Sequence, residues 1–196
     1  MSRPRTIDKD SVLDAAEAVV VRDGAARLTL DAVATEAGIS KATVLYDYKS
    51  KEALIRAVSE RRLDKERAKM DAAVLARQGE ANALIKAFIA TIGQGMDCRA
   101  QSVGINLCAA ASLDAELRHG WEKLVGSTMT EIQETSTDPA KAQIAFLAVQ
   151  GLKLMEFLGL YDWPPEERAR ILGDIAAMID DPAPTGSSTK ELPALQ

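Results

Sequence analysis

The sequence predicts an all-α protein. Alanine and leucine dominate its composition and only 4% of its 196 residues are aromatic, a balance that favours helices over sheets. Apolar residues recur along most of the chain at the spacing of a helix face, and no segment shows the alternation of a half-buried strand. Because 47% of the residues are apolar, these helices can bury a sizeable core.

Four helices are expected in the first third of the chain. An apolar stripe predicts a helix over residues 8–22, which Gly24 would end. Thr29 and Ser40 stand where N-caps belong, before two short helices at about 30–37 and 41–47. Ser50 is the expected cap of the fourth helix, which we expect to continue through the mixed charges of ERRLDKERAKM.

Five further helices are expected before a disordered end. Two lie at about 81–94 and 100–111, and Ser112 is the expected cap of the next. Asp138-Pro139 and Pro165 open the last two, the first of which is apolar on nearly every side. The final segment, DDPAPTGSSTKELPALQ, has the composition of a disordered tail.

Several classes of protein are disfavoured by the sequence. No run approaches the roughly 18 apolar residues of a membrane span, and MSRPRTIDKD lacks the apolar region of a signal peptide. Cys98 and Cys108 have no metal-ligand or CxxC spacing. We therefore expect a cytoplasmic protein with reduced thiols that uses no metal, no cofactor and no membrane.

Charge is distributed unevenly along the chain. Residues 1–69 carry 14 basic and 12 acidic side chains, whereas the remainder carries 10 basic and 17 acidic ones. The net charge of −5 therefore hides a mildly basic first third. A small basic module on an acidic body suits local contact with a polyanion such as DNA.

The segment GISKATVLYDYKSKEAL, residues 38–54, predicts how that contact is made. A short helix, a glycine turn and a second short helix form a helix-turn-helix, whose second helix enters the DNA major groove. The side chains of that helix include a flexible ammonium, a small residue that lets DNA come close, a hydroxyl and a phenol. The N-termini of the helices before and after it favour the binding of phosphate groups. The expected DNA contacts are Thr29, Ser40, Lys41, Ala42, Thr43, Tyr46 and Lys51.

Residues 1–55 resemble the DNA-binding domain of the tetracycline-repressor (TetR) family of transcriptional regulators. The resemblance rests on LTLDAVATEAGISKATVLYDYKSKEAL, and within it on Gly38, Ser40, Thr43, Tyr48 and the helix start Ser50-Lys51-Glu52. It implies a helix-turn-helix three-helix domain at 1–55, a helical ligand-binding and dimerisation domain at 56–180, and a tail at 181–196. It also implies a homodimer, expected to be a repressor, that binds a palindromic operator and is released by a small apolar effector.

The sequence departs from the family pattern at two positions of the recognition helix. Leu45 replaces an aromatic residue, and Asp47 stands where a histidine or aromatic is common. Because an aspartate would repel a phosphate, Asp47 either points away from DNA, accepts from cytosine N4 or orients a nearby lysine. Tyr46 still matches a position that contacts phosphate in relatives.

The resemblance also implies an effector pocket and a dimer interface in the second domain. The region 81–158 offers apolar walls and two polar anchors, and few charges intrude between them. The expected pocket residues are Phe88, Met96, Asn106, Trp121, Met129, Gln150 and Met155. The last two helices suit an isologous four-helix interface, for which the expected residues are Gly151, Leu154, Leu158, Ile171 and Ile175.

Other interpretations compete with parts of this one. No nucleophile–base set or cofactor loop supports an enzyme, and a helical adaptor would have no use for paired phosphate contacts. Cys98 and Cys108 fit a redox sensor or, better, two small core residues, and the single histidine, His119, fits a surface position. Arg3 and Arg5 could enter the minor groove or lie in a frayed terminus.

Overall fold

The structure, a computed structural model, describes residues 8–95 and 98–180. These residues form nine α-helices and one 3₁₀ turn, and no strand occurs among them. The helices are α1 (Lys9–Asp23), α2 (Leu30–Ala37), α3 (Lys41–Asp47), α4 (Lys51–Leu75), α5 (Ala83–Gly93), α6 (Cys98–Ala111), α7 (Ala115–Thr135), α8 (Pro139–Phe157) and α9 (Pro165–Asp180), with the 3₁₀ turn at Ala25–Arg27. The predicted all-α fold is confirmed. Arg3, Arg5, Met96, the Cys98 side chain and the predicted tail lie outside the described residues.

Polar side chains start the helices largely where the sequence indicated. Thr29, Ser40, Ser50 and Asp138 each accept a hydrogen bond from a backbone N–H in the first turn of the helix that follows. Ser112 was expected to cap α7, and that prediction is wrong. Asp114 is the cap, because one oxygen of its carboxylate, Oδ1, accepts from the N–H groups of both Glu116 and Leu117 in the first turn of α7.

The first core joins the N-terminal helices to α6 and the start of α7. The apolar faces of α1 to α4 meet around side chains that are almost wholly removed from solvent, among them Val19, Val33, Val44 and Leu54. Val103 and Leu107 of α6 belong to the same core. The helix-turn-helix therefore shares its core with residues of the C-terminal half of the chain. A movement of α6 would change the packing of the helix-turn-helix, because the core is closely packed.

The second core lies between α5, α7, α8 and α9. Phe88 packs on Phe146 with the two ring centroids 4.7 Å apart, and both side chains are buried. Asn82 ties the ends of this bundle together: it accepts from the backbone N–H and hydroxyl of Thr137 and donates to the carbonyl of Ile179. In the described ranges, no helix has the length and apolarity that crossing a membrane requires.

Arginines of α4 link the two halves of the molecule. Arg61 contacts the carboxylates of Asp14 and Glu17 on α1, at 2.8 and 2.6 Å. Arg62 donates to the carbonyl of Ala100 at the start of α6, and Arg56 forms an ion pair with Glu116 of α7. α4 is thus held at successive turns by elements on both sides of it.

Candidate DNA-binding surface and effector cavity

The turn between α2 and α3 fixes the direction of the recognition helix. Gly38 adopts the left-handed backbone conformation with φ of 66°, in which a residue with a side chain would be strained. Two residues later, the Ser40 hydroxyl accepts from the backbone N–H of Thr43 and lies 2.8 Å from the Thr43 hydroxyl. Both hydroxyls therefore already form hydrogen bonds at the start of the helix. Only the donor or acceptor positions that these bonds leave open could also bind DNA.

One face of α3 is anchored and the other is free. Val44 is fully buried in the first core, whereas Tyr46 is 78% exposed. Ala42 and Leu45 lie on the same outward side as Tyr46, because their spacing of three and four residues repeats that of a helix face. Leu45 thus presents an apolar surface where a thymine methyl could pack.

The lysines around this face are already engaged with neighbouring groups. Lys41 forms a 2.7 Å ion pair with Asp31 of α2. Lys49 donates to the Tyr46 carbonyl, and its ammonium lies 5.3 Å from the centroid of the Tyr46 ring. Lys51 donates to the carbonyl of Ala26 in the 3₁₀ turn. All three contacts are at exposed positions, so replacing the protein partner of each lysine by a phosphate would cost little free energy.

Asp47 points away from the outward face. Its carboxylate is 4.0 Å from the Lys9 ammonium at the start of α1, and its side chain is only 19% exposed. Of the three alternatives that the sequence left open, this geometry favours the first. Tyr48 likewise packs against the first core, and burial raises the pKa of its phenol.

Two adjoining cavities meet beside α8: the smaller, called the inner cavity, lies between α4, α6, α7 and α8, and the larger, called the outer cavity, lies mainly between α4, α5, α6, α8 and α9. The inner one has a volume of about 280 Å³, and its walls include Gly104, Trp121, Gln150, Leu154 and Phe157. The outer one has a volume of about 670 Å³ and extends towards Ile92, Trp163 and Arg168. Arg62, Glu66, Lys153 and Phe157 line both, so the two spaces meet at these side chains.

The junction of the cavities is charged, which the sequence analysis did not anticipate. Burial lowers the pKa of Lys153, and nearby Arg62 acts in the same direction while Glu66 opposes it. Cys108 is exposed rather than a core residue as expected, and it lines the inner cavity, where partial burial raises the pKa of its thiol despite the charges of Lys153 and Arg62. A raised thiol pKa disfavours the reactive thiolate that a redox sensor needs.

The expected pocket residues fall into different environments. Trp121 and Gln150 line the inner cavity, and the Trp121 indole N–H donates to the buried hydroxyl of Ser59 on α4. Asn106 faces the 3₁₀ turn instead, since its carbonyl oxygen accepts from the backbone N–H of Ala25. Neither cavity includes the other described members of the set, which are Phe88 and Met129 of the second core and the partly exposed Met155.

The expected dimer residues lie on or beside an uncovered apolar face. Ile144, Leu147 and Leu154 of α8, and Leu158 directly after it, are each about half exposed, between 48% and 57%, and Gly151 lies among them in open space. The opposite face of α8 is buried in the second core. α8 is therefore not buried all round within one chain. Ile171 and Ile175 of α9 are partly exposed and partly packed on that core.

Sequence reasoning missed four participants. Lys49 is not among the DNA contacts expected from the sequence, although its spacing of three residues from Tyr46 allows the ring contact. Arg62 and Glu66 were assigned to a solvated stretch of mixed charge. Lys153 was not singled out, although it is a lone cation among the apolar residues QGLKLM of α8, which is an available signal.

Comparison with protein families identifies two matching regions. Residues 12–58 match the model described as bacterial regulatory proteins of the tetR family. Residues 82–180 match the model described as the tetracyclin repressor-like C-terminal domain. The two matches together cover most of the chain, including the helix-turn-helix and the walls of the inner cavity contributed by α6, α7 and α8. No curated protein sequence shows significant similarity to the chain.

Solved structures share the fold at low sequence identity. SCO7518 from Streptomyces coelicolor A3(2), described as a transcriptional regulator, superposes with a TM-score of 0.69 at 20% identity, covering 88% of this chain and 98% of that one. A TetR-family regulator from Mesorhizobium loti MAFF303099 gives 0.71 at 17% identity, covering 87% and 94%. The multidrug binding protein EbrR, complexed with imidazole, gives 0.67 at 22% identity, covering 95% and 100%.

Proposed function

Since this chain belongs to the TetR family of bacterial transcriptional regulators, we propose that it is a repressor that binds a palindromic operator as a homodimer and releases it on binding a small effector. The observation that carries the proposal is the geometry of α3. Buried Val44 holds the helix to the core while Ala42, Leu45 and Tyr46 face outward. Family members are DNA-binding transcription factors, so we propose no enzymatic role and expect the protein to act in the cytoplasm.

The outward face of α3 suits the division of labour that operator binding requires. Ala42 and Leu45 are small or apolar enough to approach base edges and thymine methyls, and Lys41 reaches a base or phosphate when it leaves Asp31. Tyr46 and Lys51 lie at the flanks, where a phenol and an ammonium can hold phosphates. Thr29 stands at the start of α2, whose N-terminus favours an anion.

The uncovered face of α8 supports the homodimer. Ile144, Leu147, Gly151, Leu154 and Leu158 recur at alternating steps of three and four residues, which gives a continuous apolar seam. A seam of this kind is costly to leave in water and is self-complementary in a two-fold arrangement with α9 beside it. In the dimer, the seam would set the distance between two recognition helices at about 34–36 Å, one turn of DNA.

α4 is the element best suited to couple effector and DNA. Its N-terminus carries Lys51 beside the DNA surface, and one face further along carries Ser59, Arg62 and Glu66. A molecule that displaces Trp121 or Arg62 therefore acts on α4 directly. α6 offers a second route, because it lines the inner cavity with Gly104 and packs against the helix-turn-helix with Val103 and Leu107.

A gel-shift titration tests the proposal with DNA that flanks the protein's own coding region. We expect a retarded complex at concentrations at least about 10³-fold lower than with random DNA of the same length. Tyr46→Ala should weaken the complex without affecting the fold, because the side chain is 78% exposed. Lys123→Ala, an exposed position on α7 remote from α3 in sequence, is the control and should bind as the wild type does.

The alternative is a helical adaptor whose helix-turn-helix serves protein contact. An adaptor would give no retarded band even at low salt without competitor DNA, where non-specific electrostatic binding is strongest. Equal affinity for flanking and random DNA would instead leave a DNA-binding protein without an operator in that region. Only the preference for flanking DNA, together with weaker binding by Tyr46→Ala, supports the proposed repressor.

A further inference from the structure

Lys153 lies at the junction of the two cavities, and the part of the chain that the structure describes offers it no partner in contact. It lies on α8 between the buried Leu152 and the half-exposed Leu154, and it lines both spaces. Within the described ranges it forms no ion pair and no side-chain hydrogen bond. Glu66 attracts this ammonium only at a distance, so Lys153 loses hydration without a counter-ion in contact with it, and an anion entering the cavity would supply one.

The neighbouring charges leave the junction net positive. Arg62 contributes a second cation and spends one N–H on the carbonyl of Ala100, but it forms no ion pair among the described residues. Glu66 is the acidic residue common to both cavities, and its ion pair, at 3.8 Å, is with Lys69 on its own helix. Two cations therefore face one carboxylate. In the outer cavity, Arg168 is paired with Glu156 at 2.6 Å and is not available in the same way.

Beyond this charged junction, the inner cavity is mainly apolar. Trp121, Leu154 and Phe157 form its walls, and Gln150 adds one amide. The Phe157 ring packs so closely on α6 that a Cβ at position 104 would lie 2.6 Å from Cε2 of the ring, which explains the glycine there. The space thus offers aromatic and aliphatic surface at one end and two cationic groups at the other.

Building on the proposed function, we propose that the effector is an amphipathic organic acid. Its carboxylate would pair with Lys153 and Arg62, and its apolar part would enter the inner cavity against Trp121 and Phe157. A carboxylate satisfies both cations through charge-assisted hydrogen bonds, which are stronger in a partly buried site than in water. A neutral ligand would leave Lys153 unpaired, and a cationic one would bring a third positive charge to the junction.

The sequence provides its own reporters for the test. The chain has two tryptophans, and both line these cavities: Trp121 the inner one and Trp163 the outer one. Their fluorescence, excited at wavelengths where the probes do not absorb, follows binding directly. The probes are two matched pairs that differ in charge but hardly in size: octanoate against octanamide, and phenylacetate against phenylacetamide.

We expect at least one acid to bind about tenfold or more tightly than its amide, the factor that a single charge-assisted contact typically gives. Lys153→Met keeps a side chain of similar length but removes the charge, and it should abolish the preference. Arg62→Met should reduce the preference and serves as a second, independent variant. Lys123→Met on the exposed side of α7 is the matched control and should keep the full preference.

Three outcomes overturn the inference. No measurable preference for an acid in either pair, including no binding of either acid, would show that the junction does not select carboxylates. Tighter binding of an amide than of its matched acid would show that the junction prefers a neutral group. A preference that survives in both Lys153→Met and Arg62→Met would show that the anion is held elsewhere.

The same proteins separate this inference from the proposed function. If the flanking DNA is bound specifically but no acid is preferred, the repressor stands and the effector class is wrong. If an acid binds through Lys153 but no DNA is bound, the binding site stands and the proposed repressor fails. Both results are read from the DNA titration and the fluorescence titration of the same preparations.

Discussion

The cations on the recognition helix and those at the cavity junction are held in opposite ways. Lys41 is exposed and paired with Asp31 at 2.7 Å, whereas Lys153 is largely enclosed and unpaired among the described residues. A surface pair contributes little to stability and exchanges readily for a phosphate. An enclosed cation without a partner costs stability until an anion arrives. The proposed DNA surface thus carries lysines that can change partners easily, whereas the proposed effector site carries one that gains a partner only when an anion binds.

α4 connects these two kinds of site. Its N-terminal Lys51 reaches the 3₁₀ turn beside the DNA surface, and its Arg62 reaches the cavity junction three turns later. Arg56 and Arg61 fasten the helix to α7 and α1 between these points. A shift of α4 therefore changes both sites together, which gives the coupling between effector and DNA a physical path.

The largest effect is expected from breaking the proposed dimer, because a palindromic operator would be bound by two recognition helices at once. Leu154→Glu places a carboxylate in the apolar seam of α8 and should give monomers, with operator affinity lower by about 10²-fold or more as the second half-site contact is lost. Leu113→Glu is the control, since Leu113 is 91% exposed between α6 and α7. Sedimentation of a dimeric Leu154→Glu protein would place the interface elsewhere.

The second prediction compares how much Lys153 and Lys41 each contribute to the stability of the folded protein. Lys153→Met should raise the free energy of unfolding by about 1–3 kcal/mol, because it removes an enclosed cation without a partner. Lys41→Met should change it by less than about 0.5 kcal/mol, since only an exposed ion pair is lost. Urea unfolding at neutral pH measures the free energy of unfolding of both variants. Equal changes would contradict the distinction between an exposed, paired lysine and an enclosed, unpaired one.

The stabilising effect of Lys153→Met should also depend on pH. Because the pKa of Lys153 is lowered in the folded protein, the unfolded chain binds more protons between that value and the ordinary pKa of lysine. Stability of the wild type should therefore rise with pH across this window, and the rise should be missing in Lys153→Met. Cys108, whose pKa is raised, lowers stability above the ordinary thiol pKa, and Lys153 affects that pKa, so both proteins are compared in a Cys108→Ser background to isolate Lys153.

The third prediction divides the DNA-facing lysines into two classes. Lys51→Ala should weaken binding to all sequences alike and lower the salt dependence by about one released counter-ion. Lys41→Ala should relax discrimination at one operator position by roughly 1–3 kcal/mol if the side chain reaches a base edge. Titrations against operator and random DNA at several salt concentrations distinguish them. Equal losses on both DNAs would make Lys41 a phosphate contact.

The smallest effects are expected from the acidic neighbours of the recognition helix. Asp31→Asn removes the partner of Lys41 and should tighten DNA binding by less than about 1 kcal/mol. Asp47→Asn should leave binding unchanged, because Asp47 is turned towards Lys9 of α1. A tighter complex for Asp47→Asn would mean that this carboxylate does face the phosphates.

Features set by short-range rules were predictable from the sequence, and features set by distant packing were not. Gly38, Ser40 and Ser50 have their roles because a turn or a helix start requires them within a few residues. Phe88 and Trp121 are both apolar residues on helices, and only the three-dimensional packing separates a core ring from a cavity wall. Arg62 looks like any other charge in its helix until α6 and α8 are placed beside it.

Reciprocal coupling tests the central claim, that DNA affinity and cavity occupancy are linked through one protein. The measurement is a calorimetric titration of an acid that binds in the fluorescence assay, performed with the free protein and again with the protein saturated by operator DNA. We expect DNA to weaken the binding of the acid by the same factor by which the acid weakens the binding of DNA. Equal affinity for the acid in both titrations would contradict the switch and leave a DNA-binding protein that does not respond to the cavity.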